Sequence, residues 1–331
     1  MTRSARRRVA AIDCGTNSIR LLIADISEGR SGGIFLTDVQ RRMEIVRLGH
    51  GIDATGHFDP EALQRTLKVA GEYAQSCREA GVASVRFIAT SATRDASDKG
   101  EFISGVREVF GDLEVTPQVI SGEEEAKFSF AGATAELSAD AEQTKPYLVV
   151  DIGGGSTEFV RGADSVQQSC SVDIGCVRLS ERHLSDDPAT EDQVWAALAD
   201  IATAIEHAST VVDFTDITTV IGLAGSVTTV TARALDLPAY DQARIHGSVL
   251  PVADVITASS DLIRMNRSQR TALPYMHHGR VDVIGAGALI WRTVIQRVVR
   301  DAGIKTVRTS EHDILDGIAL SLASPGRAGD E

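Results

Sequence analysis

Apolar residues in this chain come in short runs cut by glycine, separated by longer stretches with helical spacing. Residues 9–12 are continuously apolar and stop at Asp13-Cys14-Gly15-Thr16-Asn17-Ser18, after which a strand-like run occupies 19–26. The same order returns downstream: apolar 147–150, then Asp151-Ile152-Gly153-Gly154-Gly155-Ser156-Thr157, then 158–160. Each reads as strand, tight glycine turn, strand. Positions 34–48 read as further strand. Asp59 as N-cap, Pro60 at the first helical position and Leu63, Leu67, Ala70, Ala74 and Cys77 on one face predict a helix that Gly81 stops. Strands follow over 85–90 and 115–120, with a helix over 98–110 that turns Phe102, Val106 and Phe110 inward.

The second half repeats this order. It predicts the hairpin at 147–160, a strand at 166–174, a helix at 191–208, a strand at 217–222 and a helix at 226–235. An apolar helix over 281–299, a strand over 305–308 and a closing helix over 314–322 complete the pattern. The prediction is an α/β fold of two duplicated lobes. Residues 1–120 form the N-terminal lobe with the first glycine turn, and the closing helix, within 314–323, returns to it. Residues 121–313 form the C-terminal lobe with the second turn, 121–145 bridge the halves, and 324–331 are a flexible tail. One turn per lobe predicts a ligand in an interlobe cleft, closed by a hinge that excludes water.

Glycine lets backbone N–H groups approach an anion without a Cβ in the way. Thr16, Asn17, Ser18, Ser156 and Thr157 add side-chain donors, and Asp13 and Asp151 are placed to hold a hydrated cation. Two such turns facing each other would grip a phosphate and its metal from both sides.

Composition narrows the partners. At 331 residues two domains are expected, and 43% apolar with 24% charged residues is ordinary for a globular protein. No 18-residue apolar run exists, so no membrane span is expected. Arg3, Arg6, Arg7 and Arg8 precede only four apolar residues before Asp13, which reads as a basic tail rather than an export signal. The net charge of −13 argues against nucleic acid as a partner. It also means that a polyanionic substrate needs a locally basic site or a divalent cation. Cys14, Cys77, Cys170 and Cys176 fit neither a zinc site nor a disulfide framework, so a reducing, cytoplasmic compartment is expected.

Three segments in order carry a family resemblance. Ala11-Ile12-Asp13-Cys14-Gly15-Thr16-Asn17-Ser18, Ile120-Ser121-Gly122-Glu123-Glu124-Glu125-Ala126 and Val150-Asp151-Ile152-Gly153-Gly154-Gly155-Ser156-Thr157-Glu158 resemble the motifs of the exopolyphosphatase and guanosine pentaphosphate phosphatase (Ppx/GppA) family. That family belongs to the larger actin, Hsp70 and sugar-kinase fold, whose lobes are ribonuclease H-like. The resemblance covers about residues 9–322. It implies that Glu125 is the catalytic base, that Arg94 in Thr90-Ser91-Ala92-Thr93-Arg94 contacts phosphate, and that Glu158 lies near the metal. It sets Gly222-Leu223-Ala224-Gly225-Ser226 where related ATPases bind adenosine. Long family members carry a further helical extension after this core, which makes short phosphate chains the expected substrate here.

The expected activity is therefore an exopolyphosphatase that removes the terminal phosphate of linear inorganic polyphosphate. Asp13, Asp151 and Glu158 are the candidate ligands for Mg2+, with Mn2+ as an alternative. Gly15, Thr16, Asn17, Ser18, Gly153, Gly154, Gly155, Ser156 and Thr157 bind phosphate, Glu125 activates water, and Arg94 joins the turn amides in stabilising charge. Glu123, Glu124 and Glu125 are expected to raise one another's pKa, although the first two also suit a helix's first turn. Guanosine pentaphosphate is the alternative substrate; a polyphosphate–ADP phosphotransferase and a non-catalytic phosphate or alarmone sensor are the further readings. A homodimer is a candidate assembly, with 281–299 as core or interface.

Other features read as structural. Arg264, Arg267 and Arg270, and Arg297 with Arg300, read as solvated helix faces rather than a polyanion track. His277 and His278 have no third ligand at metal spacing. Trp195 and Trp291 read as packing residues. Arg20, just past the first turn, points either in or out.

Overall fold

Each glycine turn closes a hairpin, and each hairpin begins its own sheet. A computed structural model of the chain describes residues 7–28, 33–135 and 146–323. Most of the basic start, part of the bridge at 136–145 and the tail from 324 lie outside the described residues. The chain divides into two compact units: the first runs to Ser121 and takes in the closing helix from Ile314, and the second spans Gly122–Asp313.

In the first unit β1 (Arg7–Cys14), β2 (Ser18–Glu28), β3 (Ile34–Ile45), β4 (Ser84–Ala89) and β5 (Gln118–Val119) form a sheet in the order β3-β2-β1-β4-β5. β1 runs antiparallel to β2 and parallel to β4. The helix Pro60–Ala80 starts as its residues dictate: the Asp59 carboxylate accepts from the Ala62 N–H at 2.8 Å, and Gly81 ends the helix at φ 63°. Along Lys99–Phe110 the buried residues are Phe102, Val106 and Phe110, and Phe87 of β4 meets two of these rings edge-on. The strand expected over 115–120 shrinks to two residues, since Pro117 has no N–H to give to a ladder. The helix Ile314–Ser321 packs on β1 and β2, and Arg41 of β3 forks onto Asp316 at 2.5 and 3.2 Å.

The second unit holds β6 (Tyr147–Ile152), β7 (Thr157–Gly162), β8 (Val166–Val172), β9 (Thr219–Leu223), β10 (Val249–Pro251) and β11 (Thr306–Thr309), in the order β10-β11-β9-β6-β7-β8. The first sheet's pattern recurs as β8-β7-β6-β9-β11: two antiparallel pairings on one side of the central strand and parallel pairings on the other. β10 is an added edge. The fold is thus mixed α/β with a duplicated five-stranded core. Helix Ile284–Ala302 buries Trp291, Val294, Ile295 and Val298 in the core of this unit. It begins three residues later than its apolar pattern suggests, because a 3₁₀ turn, His278–Arg280, comes first. Cys176–His183 and Val252–Arg264 are helices that the sequence reading did not assign.

Among the described residues no helix is long and apolar enough to cross a membrane. Trp291 is core, but Trp195 is 69% exposed, contrary to its reading as a packing residue. It lies on the outer side of the helix Glu191–Val211, whose buried line is Ala197, Ile201, Ile205 and Ala208.

Candidate functional site

The two turns are built alike. Cys14 pairs with Ile19 and Ile152 with Thr157, so four residues cross each hairpin. In both, the first glycine N–H donates to the serine carbonyl: Gly15 to Ser18 at 2.9 Å and Gly153 to Ser156 at 3.0 Å.

In both, a later segment also occupies the carbonyls of the two middle residues. In the first unit, Gly49 N–H donates to Thr16 at 2.8 Å, and Val46 and Arg47 N–H donate to Asn17 at 3.0 and 2.9 Å. Arg47 takes φ 53° to do so, a conformation rare outside glycine. In the second unit, Val177 and Arg178 N–H donate to Gly154, and Arg178 Nε donates to Gly155 at 2.8 Å. Gly175 lets this segment come close, since a Cβ there would stand 2.3 Å from the Gly154 carbonyl. Tying carbonyls back favours presentation of the neighbouring N–H groups to an anion.

Two side chains of the turns bond to protein groups. The Thr16 hydroxyl is buried and shares a bond with Ser91 at 2.8 Å. Thr157 donates to the Ile174 carbonyl at 2.6 Å. Both bonds help hold the turn in shape.

Three acids meet beside the second turn. Glu125 lies on the helix Gly122–Thr134, Asp151 on β6, and Glu158 directly across from Asp151 on β7. They are 8%, 7% and 1% exposed. The helix packs against β6, β7 and β8, and Gly122 makes its start possible: a Cβ there would stand 2.4 Å from the Ser171 Cβ. One turn beyond Glu125, Ser129 donates to Asp151 Oδ2 at 2.7 Å. Ser171 donates to Glu158 at 2.8 Å. Burial, followed by the charges of Glu125 and Asp151, holds the Glu158 carboxyl well above its ordinary range against the opposing pull of Ser171 and Ser156.

The sequence neighbours of Glu125 do not supply this field. Glu123 is exposed and paired with Lys127 at 2.8 Å, a bond that lowers its pKa, and Glu124 is exposed. Adjacent positions on a helix face different ways, so the expectation of three mutually raised carboxylates gives way to Glu125 with Asp151 and Glu158.

The equivalent place in the first unit differs. Asp13 faces Arg20 in the same register, and the guanidinium donates to Asp13 Oδ2 at 3.0 and 2.6 Å. Arg20 therefore turns toward Asp13, whose charge it balances. Of the expected metal ligands, Asp13 pairs with Arg20 within its own unit, and Asp151 and Glu158 face each other within theirs. Among the described residues no group of three or more His, Cys, Asp or Glu side chains is arranged to hold a metal by itself. Arg94 ends the short helix Ser91–Asp95 and donates to the Ile120 carbonyl at 3.0 Å, just before the Ser121-Gly122 motif.

The segment 222–226 is filled by protein. A Cβ on Gly225 would lie 2.2 Å from Arg280 Cζ, and one on Gly222 2.7 Å from Trp291. These glycines make room for a guanidinium and an indole. The arginine clusters also resolve as structure: Arg264, Arg267, Arg270, Arg297 and Arg300 each pair with a carboxylate. His277 and His278 stack at 4.4 Å, and His277 Nδ1 accepts from the Gly279 N–H. All four cysteines are free thiols. Sequence reasoning missed Arg178 and Arg280, because neither stands in a recognisable motif and each acts on a glycine more than 20 residues away.

A family model described as the Ppx/GppA phosphatase family matches residues 22–322. The chain is 48% identical over 321 residues to exopolyphosphatase 2 of Mycobacterium tuberculosis, covering 96% of this chain and 99% of that protein. Among solved structures, an exopolyphosphatase-like protein superposes with a TM-score of 0.89 at 42% identity, covering 95% of this chain and 98% of that one. The Aquifex aeolicus PPX-GPPA enzyme follows with a TM-score of 0.77 at 28% identity, covering 96% and 100%.

Proposed function

This chain belongs to the Ppx/GppA phosphatase family, and from that premise we propose that it is an exopolyphosphatase acting on short linear inorganic polyphosphate. The observation that carries the reading is the buried meeting of Glu125, Asp151 and Glu158 beside a glycine turn whose carbonyls are tied back. A charge-rich, preformed corner of this kind suits phosphoryl transfer, which depends on positioning and charge balance more than on covalent chemistry.

In this reading Glu125 takes a proton from water as the water oxygen bonds to the terminal phosphorus. The bridging P–O bond breaks, the shortened chain leaves with the bridging oxygen, and orthophosphate is released. The amides of 154–156 hold phosphate oxygens. In the first unit the amides of 16–18 and Arg94 would be phosphate contacts in the same way.

Asp151 and Glu158 offer hard oxygen donors side by side, which fits Mg2+ or Mn2+. These two residues would hold the ion, and Asp13, already bonded by Arg20, would anchor its turn. Bound there, the ion would neutralise phosphate charge that the protein's net charge of −13 otherwise opposes. Burial and the neighbouring acids push the Glu158 carboxyl up, so a cation bound there would compete with its proton.

The test is a phosphate-release panel of defined polyphosphate lengths, guanosine pentaphosphate and ATP, with and without Mg2+. Release from short chains that requires the metal is expected. Turnover of guanosine pentaphosphate alone would replace the substrate in this reading.

A further inference from the structure

The two turns differ in stiffness. Gly15-Thr16-Asn17-Ser18 has one glycine, and its Thr16 side chain is pinned by Ser91. Gly153-Gly154-Gly155-Ser156 has three, and glycine loses more conformational freedom on folding than any other residue. The second turn therefore depends more on restraint from outside.

Arg178 supplies a side-chain component of that restraint. Asn17 and Gly155 are equivalent positions, third in their turns. The Asn17 carbonyl is held by two backbone N–H groups, from Val46 and Arg47. The Gly155 carbonyl receives its bond from the Arg178 side chain, Nε to O at 2.8 Å. Arg178 stands in the first turn of the helix Cys176–His183, where its own N–H and that of Val177 bind the Gly154 carbonyl.

We propose that Arg178 is a positioning residue of the second turn: its guanidinium ties back the Gly155 carbonyl and so fixes the turn in its anion-holding shape. The inference rests on the phosphate role proposed for that turn. A bond from a cationic donor is among the stronger neutral-acceptor hydrogen bonds, and misplacing a binding group by about 1 Å can lower rates by about 100-fold.

Three variants test it, with two readouts. In Arg178→Met, hydrogen exchange across 153–156 is expected to quicken while exchange across 15–18 stays as in the wild type, and KM for short polyphosphate is expected to rise by about 10-fold or more. Arg178→Gln keeps an N–H donor and loses the charge; it is expected to recover both readouts in part. Arg178→Lys keeps the charge and loses the flat guanidinium; it is expected to remain impaired. Unchanged exchange and KM in Arg178→Met overturn the proposal. So does recovery by lysine without recovery by glutamine, which would make the residue a direct charge contact. If Arg178→Met does not fold, the glutamine and lysine variants decide between the same outcomes. Exchange needs no substrate, so a wild type that releases no phosphate from polyphosphate refutes the substrate and leaves this inference to its own test.

Discussion

Asp151 and Glu158 stand directly opposite each other on paired strands, where Asp13 and Arg20 stand in the other hairpin. The same register thus carries a balanced ion pair in one unit and two acids in the other. The two hairpins share a backbone register and differ in charge.

Glu158→Gln is expected to stabilise the metal-free protein. The folded carboxyl has a raised pKa, so its contribution is fully present below the unfolded value of about 4.3 and is lost as pH rises through the folded value. The wild type should therefore lose stability relative to Glu158→Gln between those two points. At pH 8 with chelator the variant should melt higher, and at pH 4 the two should converge. Melting curves across pH check this. Added Mg2+ should raise the wild type and leave the variant nearly unmoved.

Arg20→Met is expected to destabilise the first unit by about 3–5 kcal/mol, since it leaves the buried Asp13 charge uncompensated. Asp13→Asn with Arg20→Met should recover part of that loss. Urea unfolding of the wild type, both single variants and the double variant measures the coupling.

Gly175→Ala tests the close approach that shapes the second turn. Its Cβ would press on Gly154 and Gly155 backbone at 2.3–2.5 Å, and backbone cannot swing aside as a side chain can. A loss of about 1–3 kcal/mol is expected, with faster exchange across 153–156. Gly100→Ala, which meets nothing within 4 Å, is the matched control.

The hairpins are legible in the sequence because glycine interrupts apolar runs at the same point twice, and Asp59, Pro60 and Gly81 mark helix ends by local chemistry alone. What the sequence hides is what folding brings across distance. Glu125 was read beside Glu123 and Glu124, but its electrostatic partners come from a strand register more than 20 residues on. The helix Cys176–His183 is short, with three buried apolar residues, and leaves little periodic signal. By contrast, Val252–Arg264 buries Val255, Ala258, Ser259 and Leu262 at helical spacing, so its pattern was present and went unread. Arg280 was invisible for another reason: its partner is a glycine, which declares only that something lies close.

The central claim is that Glu125 activates the attacking water. Orthophosphate release from short polyphosphate with Mg2+, compared between the wild type and a Glu125→Gln variant of matching melting temperature, tests it directly. A fall of about 10²- to 10⁴-fold in kcat is predicted; a folded variant that releases phosphate at the wild-type rate would contradict it.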